Sequence, residues 1–395
     1  MMNKPSITFI IVFVSSLFVH GIKAQYPFIR HDLNKIILPS DSSAWFELAK
    51  KMELAKNGGR LRILHFGDSH IQADYFTGEV RKRLLSYFNA ENCSRGITMP
   101  YRAMGTNGPD ELFAKKEGNF EITSVRKNMP DIFALSGYCI SANGVNSSIS
   151  LNDTAGYRFN KILIFHSPLV LQNLSVNGIN ASSSSALTDS LYVSTFLLPT
   201  LQSDFRLEFG NASVLNKIRV YAFSLENDKC DIEYSSIGLN GATFGTFLNM
   251  YGTEEILKFL NPDCVIFSYG TNDALYRLDS TLIKVQMGSC VKQVKSAVPN
   301  TPVIFTTPGD HLVNNKKAPN PRLPYASRLI KETALANNCG AWDFYNVMGG
   351  QGSVRDWYRN QLVFKDGIHL SKKGYKYQGI LFFEAFVKLK DLENK

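Results

Sequence analysis

The chain has 395 residues, with 43 Lys and Arg against 34 Asp and Glu, for a formal net charge of +9 at pH 7. The basic excess is spread along the chain without a dense Lys/Arg block, which argues against nucleic acid as a partner. The length exceeds what one ordinary core needs, so an enzyme domain carrying a second module is expected.

Residues 1–24 read as a secretory signal peptide, with Lys4 as its charged start, an apolar run over 7–19 too short to span a bilayer, and Ala24 at the cut. No later stretch reaches membrane length. The mature chain should begin near Gln25, carry no membrane span, and lie in the periplasm or outside the cell. Six cysteines, Cys93, Cys139, Cys230, Cys264, Cys290 and Cys339, lie far apart without a C-x-x-C pair, so neither zinc nor thiol redox chemistry is indicated. Export permits disulfides. Cys139 and Cys230, near the two ends of an expected insert, are one candidate pair, and Cys264 reads as a buried thiol inside an apolar strand.

Trp45, Phe46, Leu48, Ala49, Met52 and Leu54 at helical spacing predict a helix over 41–56, stopped by Gly58-Gly59. A compact apolar run predicts a strand over 61–66, then a loop from Gly67 and a helix over 75–88. The alternation resumes with strands at 263–269, 302–306 and 341–345 and helices at 280–297, 325–338 and 372–389. Such alternation builds a parallel sheet covered by helices on both faces. Between them, residues 120–226 change texture to short β-type runs at 161–165, 169–176, 191–197, 205–209 and 217–223, which predict an inserted β-sandwich. Ser182 to Ser185 read as a loop. The expected division is therefore 1–24, 25–119, 120–226 and 227–395.

Gly67-Asp68-Ser69-His70 follows the first long strand, at the carboxyl edge where open α/β sheets place ligands. Serine needs a base to take its proton, a carboxylate to orient that base, and fixed donors for the oxyanion. Asp366 and His369, three residues apart in Asp366-Gly367-Ile368-His369, can supply the base and its orienter. The donors can come from the Ser69 amide at a helix start, the Asn272 side chain in Gly270-Thr271-Asn272-Asp273, and the Gly241 amide. His65, Asp68 and His70 do not read as a metal cluster, because strand alternation sends His65 away from the loop. His70, Asp74, Asp273 and His311 are candidate pocket or supporting residues.

With these blocks in this order, the sequence resembles the SGNH hydrolases, also called the GDSL family. The resemblance covers residues 61–107 and 234–388. It implies a three-layer, flavodoxin-like α/β fold with a parallel sheet, Ser69 as nucleophile, Gly241 and Asn272 as oxyanion donors, and Asp366 with His369 as the Asp-x-x-His pair. No cofactor and no metal are implied. His70 stands where the family usually has leucine, and the run from Gly67 to Gly78 is similar to the branch of bacterial peptidoglycan O-acetylesterases. That branch carries a carbohydrate-binding-like β domain between the serine and glycine blocks, where this chain has its long insertion. The resemblance implies an acetylated glycan, preferably peptidoglycan, as substrate; acetylxylan or another glycan, acetyl transfer in place of hydrolysis, and a non-catalytic glycan-binding protein are the alternatives. A lipase is disfavoured because no amphipathic lid is evident.

Overall fold

The structure, a computed structural model, describes residues 26–91, 93–127, 132–168, 174–210, 217–230, 232–276, 279–313, 315 and 318–394. The expected signal peptide at 1–24, and residues 169–173 of one expected strand, lie outside the described residues.

Six strands form the central sheet, numbered here in chain order as β1 (Ile36–Ile37), β2 (Leu61–Gly67), β3 (Ile232–Gly238), β4 (Cys264–Ser268), β5 (Val303–Thr306) and β6 (Gly340–Trp342). Their spatial order is β1-β6-β5-β4-β2-β3. All neighbours pair in parallel except the edge strand β1, which runs antiparallel to β6. The chain moves from β2 out to β3, then jumps back across β2 to β4. The sheet therefore reverses direction at β2, and the crevice at the carboxyl ends of β2 and β4 is the topological switch point where such folds bind ligands.

The central strands read as continuous apolar runs because both faces are covered. In β4 and β5 the alternation assigns Ile266 and Ile304 to one buried cluster, and Val265, Phe267, Val303 and Phe305 to the other. The first cluster packs under α1 (Ser43–Ala55), α3 (Tyr75–Tyr87) and α6 (Lys372–Val387). The second packs under α4 (Ser280–Ala297), α5 (Leu323–Ala336) and the β module. Between α1 and α3 lies the single turn α2 (Ser69–Gln72). The expected strand at 341–345 ends at Trp342, because the Asp343 side chain accepts from the Asn346 amide and starts a short helix, Phe344–Val347.

The module consists of two antiparallel sheets. One contains Leu112–Glu117, Ser147–Asp153, Leu174–Val176, Ile179–Asn180 and Asp204–Phe209; the other contains Gly96–Thr98, Phe120–Ser124, Tyr138–Ala142, Phe159–His166, Ser183–Ala186, Tyr192–Gln202 and Ile218–Glu226. Aromatic rings interdigitate between them, with Phe205 5.8 Å from Phe223 and Phe120 5.4 Å from Phe209. Antiparallel pairing starts at Gly96, earlier than the expected 120, since Gly96–Thr98 pairs with Ile218–Glu226.

Two other expectations are corrected. Ser182 to Ser185 are not all loop: Ser183–Ala186 is an exposed edge strand paired with Tyr192–Gln202. Cys230 is bonded to Cys93, with Cα atoms 5.2 Å apart, and not to Cys139. Cys139 is buried within Tyr138–Ala142, whereas Cys93 and Cys230 lie just before Gly96–Thr98 and just before β3, where module and sheet meet. Cys264 is a buried thiol. Among the described residues no helix is long and apolar enough to cross a membrane.

Candidate active site

Strand β2 delivers its loop to the switch point. Asp68 caps α2, its Oδ1 accepting from the His70 amide at 2.9 Å, and this tight turn presents Ser69 at the first helical position. A side chain on Gly67 would not fit, since a Cβ there would meet Ile71 Cγ1 at 2.2 Å and the Ser268 carbonyl at 2.8 Å.

The structure brings together Ser69, His369 and Asp366, although Ser69 and His369 lie 300 positions apart in the chain. The Ser69 hydroxyl is 2.8 Å from His369 Nε2, and His369 Nδ1 is 2.7 Å from Asp366 Oδ2. Asp366 Oδ1 accepts from the amides of Ile368 at 2.9 Å and His369 at 3.0 Å. Gly367, at φ +76°, provides the left-handed bend that folds the carboxylate back onto the ring. With Nδ1–H donating to a carboxylate, Nε2 carries the lone pair that faces the serine. Burial works to raise the Asp366 pKa, but the bonds from His369 and the two amides outweigh it and hold it at about 2. Burial likewise works to lower the His369 pKa, and the bond to Asp366 together with its charge carries it above the ordinary value.

Asn272, at the start of the helix after β4, is buried. Its amide donates to the Ala242 carbonyl at 2.9 Å and, at a longer 3.3 Å, to Asp68 Oδ2. Burial raises the Asp68 pKa to about 7. Gly241 sits at φ +72° in the turn that follows β3, which is pinned by the Leu239 amide on the Gly67 carbonyl at 3.0 Å. The same turn is tied to α2 by the Asn240 amide, which donates to Gln72 Oε1 at 2.7 Å.

His70 lies against His369, with its Nδ1 2.8 Å from the Tyr375 hydroxyl of α6, and burial depresses its pKa well below the ordinary value. It lines a small cavity of about 30 Å3 beneath the loop, with Asp68, Thr271, Thr307, Asp310 and Gln378 among the other walls. His311 is buried, accepts from Asn320 Nδ2 at 3.0 Å, and is lowered by burial to about 4. Asp273 is buried behind Asn272, and burial raises it to about 6. Asp74 lines a separate cavity of about 470 Å3, beside Tyr75, Arg81, Arg95 and Tyr157. Its carboxylate is turned away into a buried ion cluster with Arg81, at 2.8 Å, and Arg95, and it also accepts from Thr77 Oγ1 at 2.6 Å. His65 is buried under the sheet between Tyr234, at 2.7 Å, and Ser268, at 2.6 Å. Sequence reasoning missed Gln72, Tyr375 and Arg126. All three act through partners far away in the chain, and no local pattern marks them.

A serine, an imidazole and a carboxylate in hydrogen-bonded line at the switch point of a parallel sheet are the groups that acyl transfer through a serine requires. Residues 219–377 match the model of the GDSL-like Lipase/Acylhydrolase family. Comparison with curated proteins finds none that matches. Among solved structures, one described as a peptidoglycan O-acetylesterase in action is similar at a TM-score of 0.76 and 24% identity, covering 90% of this chain and 99% of that one. An acetylxylan esterase from Geobacillus stearothermophilus is 20% identical, covering 40% of this chain and 72% of that one at a TM-score of 0.32. A lipase/acylhydrolase from Enterococcus faecalis, also 20% identical, covers 40% and 75% at a TM-score of 0.32.

Proposed function

We propose that this protein is an exported O-acetylesterase that removes acetyl groups from a carbohydrate polymer, with O-acetylated peptidoglycan as the preferred substrate. The observation that carries the reading is the run from the Ser69 hydroxyl through His369 to Asp366, at 2.8 and 2.7 Å. Likeness over nearly the full length to a structure described as a peptidoglycan O-acetylesterase supports the choice of polymer. Cleavage of a signal peptide at 1–24 and export to the periplasm or beyond accord with the Cys93–Cys230 disulfide, a bond of oxidising compartments. Residues 120–226 form the greater part of a carbohydrate-binding-like module in this reading.

In the reaction, Ser69 Oγ attacks the acetyl carbonyl carbon while His369 Nε2 takes the hydroxyl proton and Asp366 stabilises the imidazolium. The carbonyl oxygen becomes an oxyanion held by the amides of Ser69 and Gly241 and by the Asn272 side chain, which exchanges its long bond to Asp68 for the developing charge. Collapse breaks the ester C–O bond, and the sugar oxygen leaves with the proton from His369. Water then attacks the acetyl-serine with His369 as base, and acetate and the free serine are regenerated. Removing one oxyanion donor costs about 10²-fold to 10³-fold in turnover.

The test is acetate release from O-acetylated peptidoglycan beside acetylxylan, by the wild type and Ser69→Ala. Release from peptidoglycan that disappears in the variant, with an unchanged circular dichroism spectrum, is expected. Undiminished release by Ser69→Ala refutes the assignment, faster release from xylan reassigns the polymer, and acetyl appearing on an added glycan acceptor makes the protein a transferase.

A further inference from the structure

The β module does not merely sit beside the catalytic centre; it sends one side chain to its rim. Arg126 leaves the module in the turn after Phe120–Ser124, fixed by the Val125 amide on the Gly137 carbonyl at 3.0 Å and the Lys127 amide on the Ser124 carbonyl at 2.9 Å. Its Nη1 donates to the Asn240 carbonyl at 2.6 Å. The guanidinium lies so close over Gly241 that a Cβ built there would meet Nη1 at 2.3 Å and Cζ at 2.6 Å. Gly241 thus leaves room for this cation as well as for its own bend at φ +72°.

The supporting loop is built to stay in place. The Asn240 amide is held by Gln72 of α2, and the Asn240 side chain donates to Thr106 Oγ1 at 3.2 Å and to Asn107. Asn240 Oδ1 is buried and accepts nothing among the described residues. The Arg126 side chain is exposed, and among the described residues no carboxylate pairs with it. One N–H is spent on Asn240, and the remainder of a planar fork faces solvent next to the proposed oxyanion donor. A guanidinium that no carboxylate among the described residues engages is matched by a carboxylate on the ligand, which it grips through two parallel hydrogen bonds; neutral hydroxyls give it no such charge-assisted pair.

We infer that Arg126 is the residue by which the inserted module selects an anionic glycan, binding a carboxylate carried by the sugar whose acetyl group lies at Ser69. The inference rests on the esterase reading above and names the substrate class for the same site: acetylated sugars bearing a lactyl or uronic carboxylate, in preference to neutral acetylated polymers.

The experiment compares full-length wild type, Arg126→Ala and Arg126→Lys on O-acetylated oligosaccharides whose carboxylates are free or converted to carboxamides. Wild type should favour the free acid in kcat/KM by about 10-fold to 100-fold, mostly through KM and decreasingly so with added salt. Arg126→Ala should abolish that preference, and Arg126→Lys should restore part of it, since it returns the charge without the fork. If wild type releases acetate from both forms equally, or if Arg126→Ala lowers both in the same proportion, Arg126 only braces the Asn240 turn and the inference falls while the esterase reading stands. Failure of wild type to release acetate from either form, with the fold intact, overturns both.

Discussion

The imidazole of His70 lies against that of His369, ring centroids 4.9 Å apart and planes tilted by 32°. Its Nδ1 is tied to the Tyr375 hydroxyl and its pKa is pushed well below the ordinary value by burial. An uncharged ring is therefore wedged against the face of the proposed base, limiting how far His369 can swing from Ser69 without placing a second positive charge beside the imidazolium that the proposed acylation forms. Ring pairs contribute about 0.5–1.5 kcal/mol beyond their buried area, so His70→Ala should lower kcat about 2-fold to 10-fold with KM little changed. Tyr375→Phe should do less. A rise in KM at constant kcat in His70→Ala would show that the ring contacts substrate and does not position the base.

The pH profile follows from the Asp366–His369 pair. Activity requires neutral Nε2, so kcat/KM should rise with pH through an inflection above 6.5, the ordinary histidine value, because the His369 pKa is raised. Stability moves the other way. A raised histidine pKa contributes stability that is complete below 6.5 and is lost as pH climbs through the folded-state value. Asp366, depressed to about 2, contributes stability above 3.8 that is lost as pH falls toward 2. Asp366→Asn should shift the activity inflection downward and cut turnover by about 10⁴-fold, as loss of the orienting carboxylate does in related triads. An inflection that stays in place in this variant contradicts the pairing.

Gly238 closes β3 directly against the nucleophile turn. A Cβ at this position would lie 2.1 Å from the Gln72 amide nitrogen and 2.3 Å from its Cα, both backbone atoms of α2. Gly238→Ala must therefore displace the turn that presents Ser69. A misplacement of about 1 Å costs roughly 10²-fold in rate, and overpacking costs about 1–3 kcal/mol in stability. Steady-state kinetics beside a denaturant melt checks both, and a variant with wild-type turnover would show that the turn is not held by this contact.

The Cys93–Cys230 bond spans 137 residues and clamps the base of the module to the edge of the sheet. Replacing both cysteines by serine, or reducing the bond, should lower the unfolding free energy by about 2–5 kcal/mol. Urea midpoints with and without reductant measure this. Coincident midpoints would mean that the buried Arg95 pairs with Asp74 and Asp153 hold the junction unaided.

How much was legible in the sequence depends on how local the determinant is. Ser69, Asp366 and His369 can be singled out because acyl chemistry demands particular side chains in short turns beside strand ends, and the apolar runs of β2, β4 and β5 locate those ends. The edges of the module resist such reading. Leu112–Glu117 is mostly exposed and carries two lysines, Ser183–Ala186 exposes every side chain, and Gly96–Thr98 has only three residues, so none shows a hydrophobic period. Arg126 and Gln72 derive their roles from loops more than a hundred residues away, as does Cys93 from Cys230, and Asp74 is claimed by arginines that no spacing rule links to it. Such partnerships arise from tertiary packing, which a linear pattern does not encode.

Strand β2, which carries Ser69, is flanked in the sheet only by β3 and β4. Both are made after the whole β module, and the base comes later still. In the esterase reading, a nascent chain emerging amino end first therefore exposes Ser69 long before His369 can activate it, and remains chemically silent until the far half of the polypeptide has been threaded back around it. That reading ties hydrolytic competence to completion of synthesis, and truncated or stalled chains would carry the serine without the power to use it.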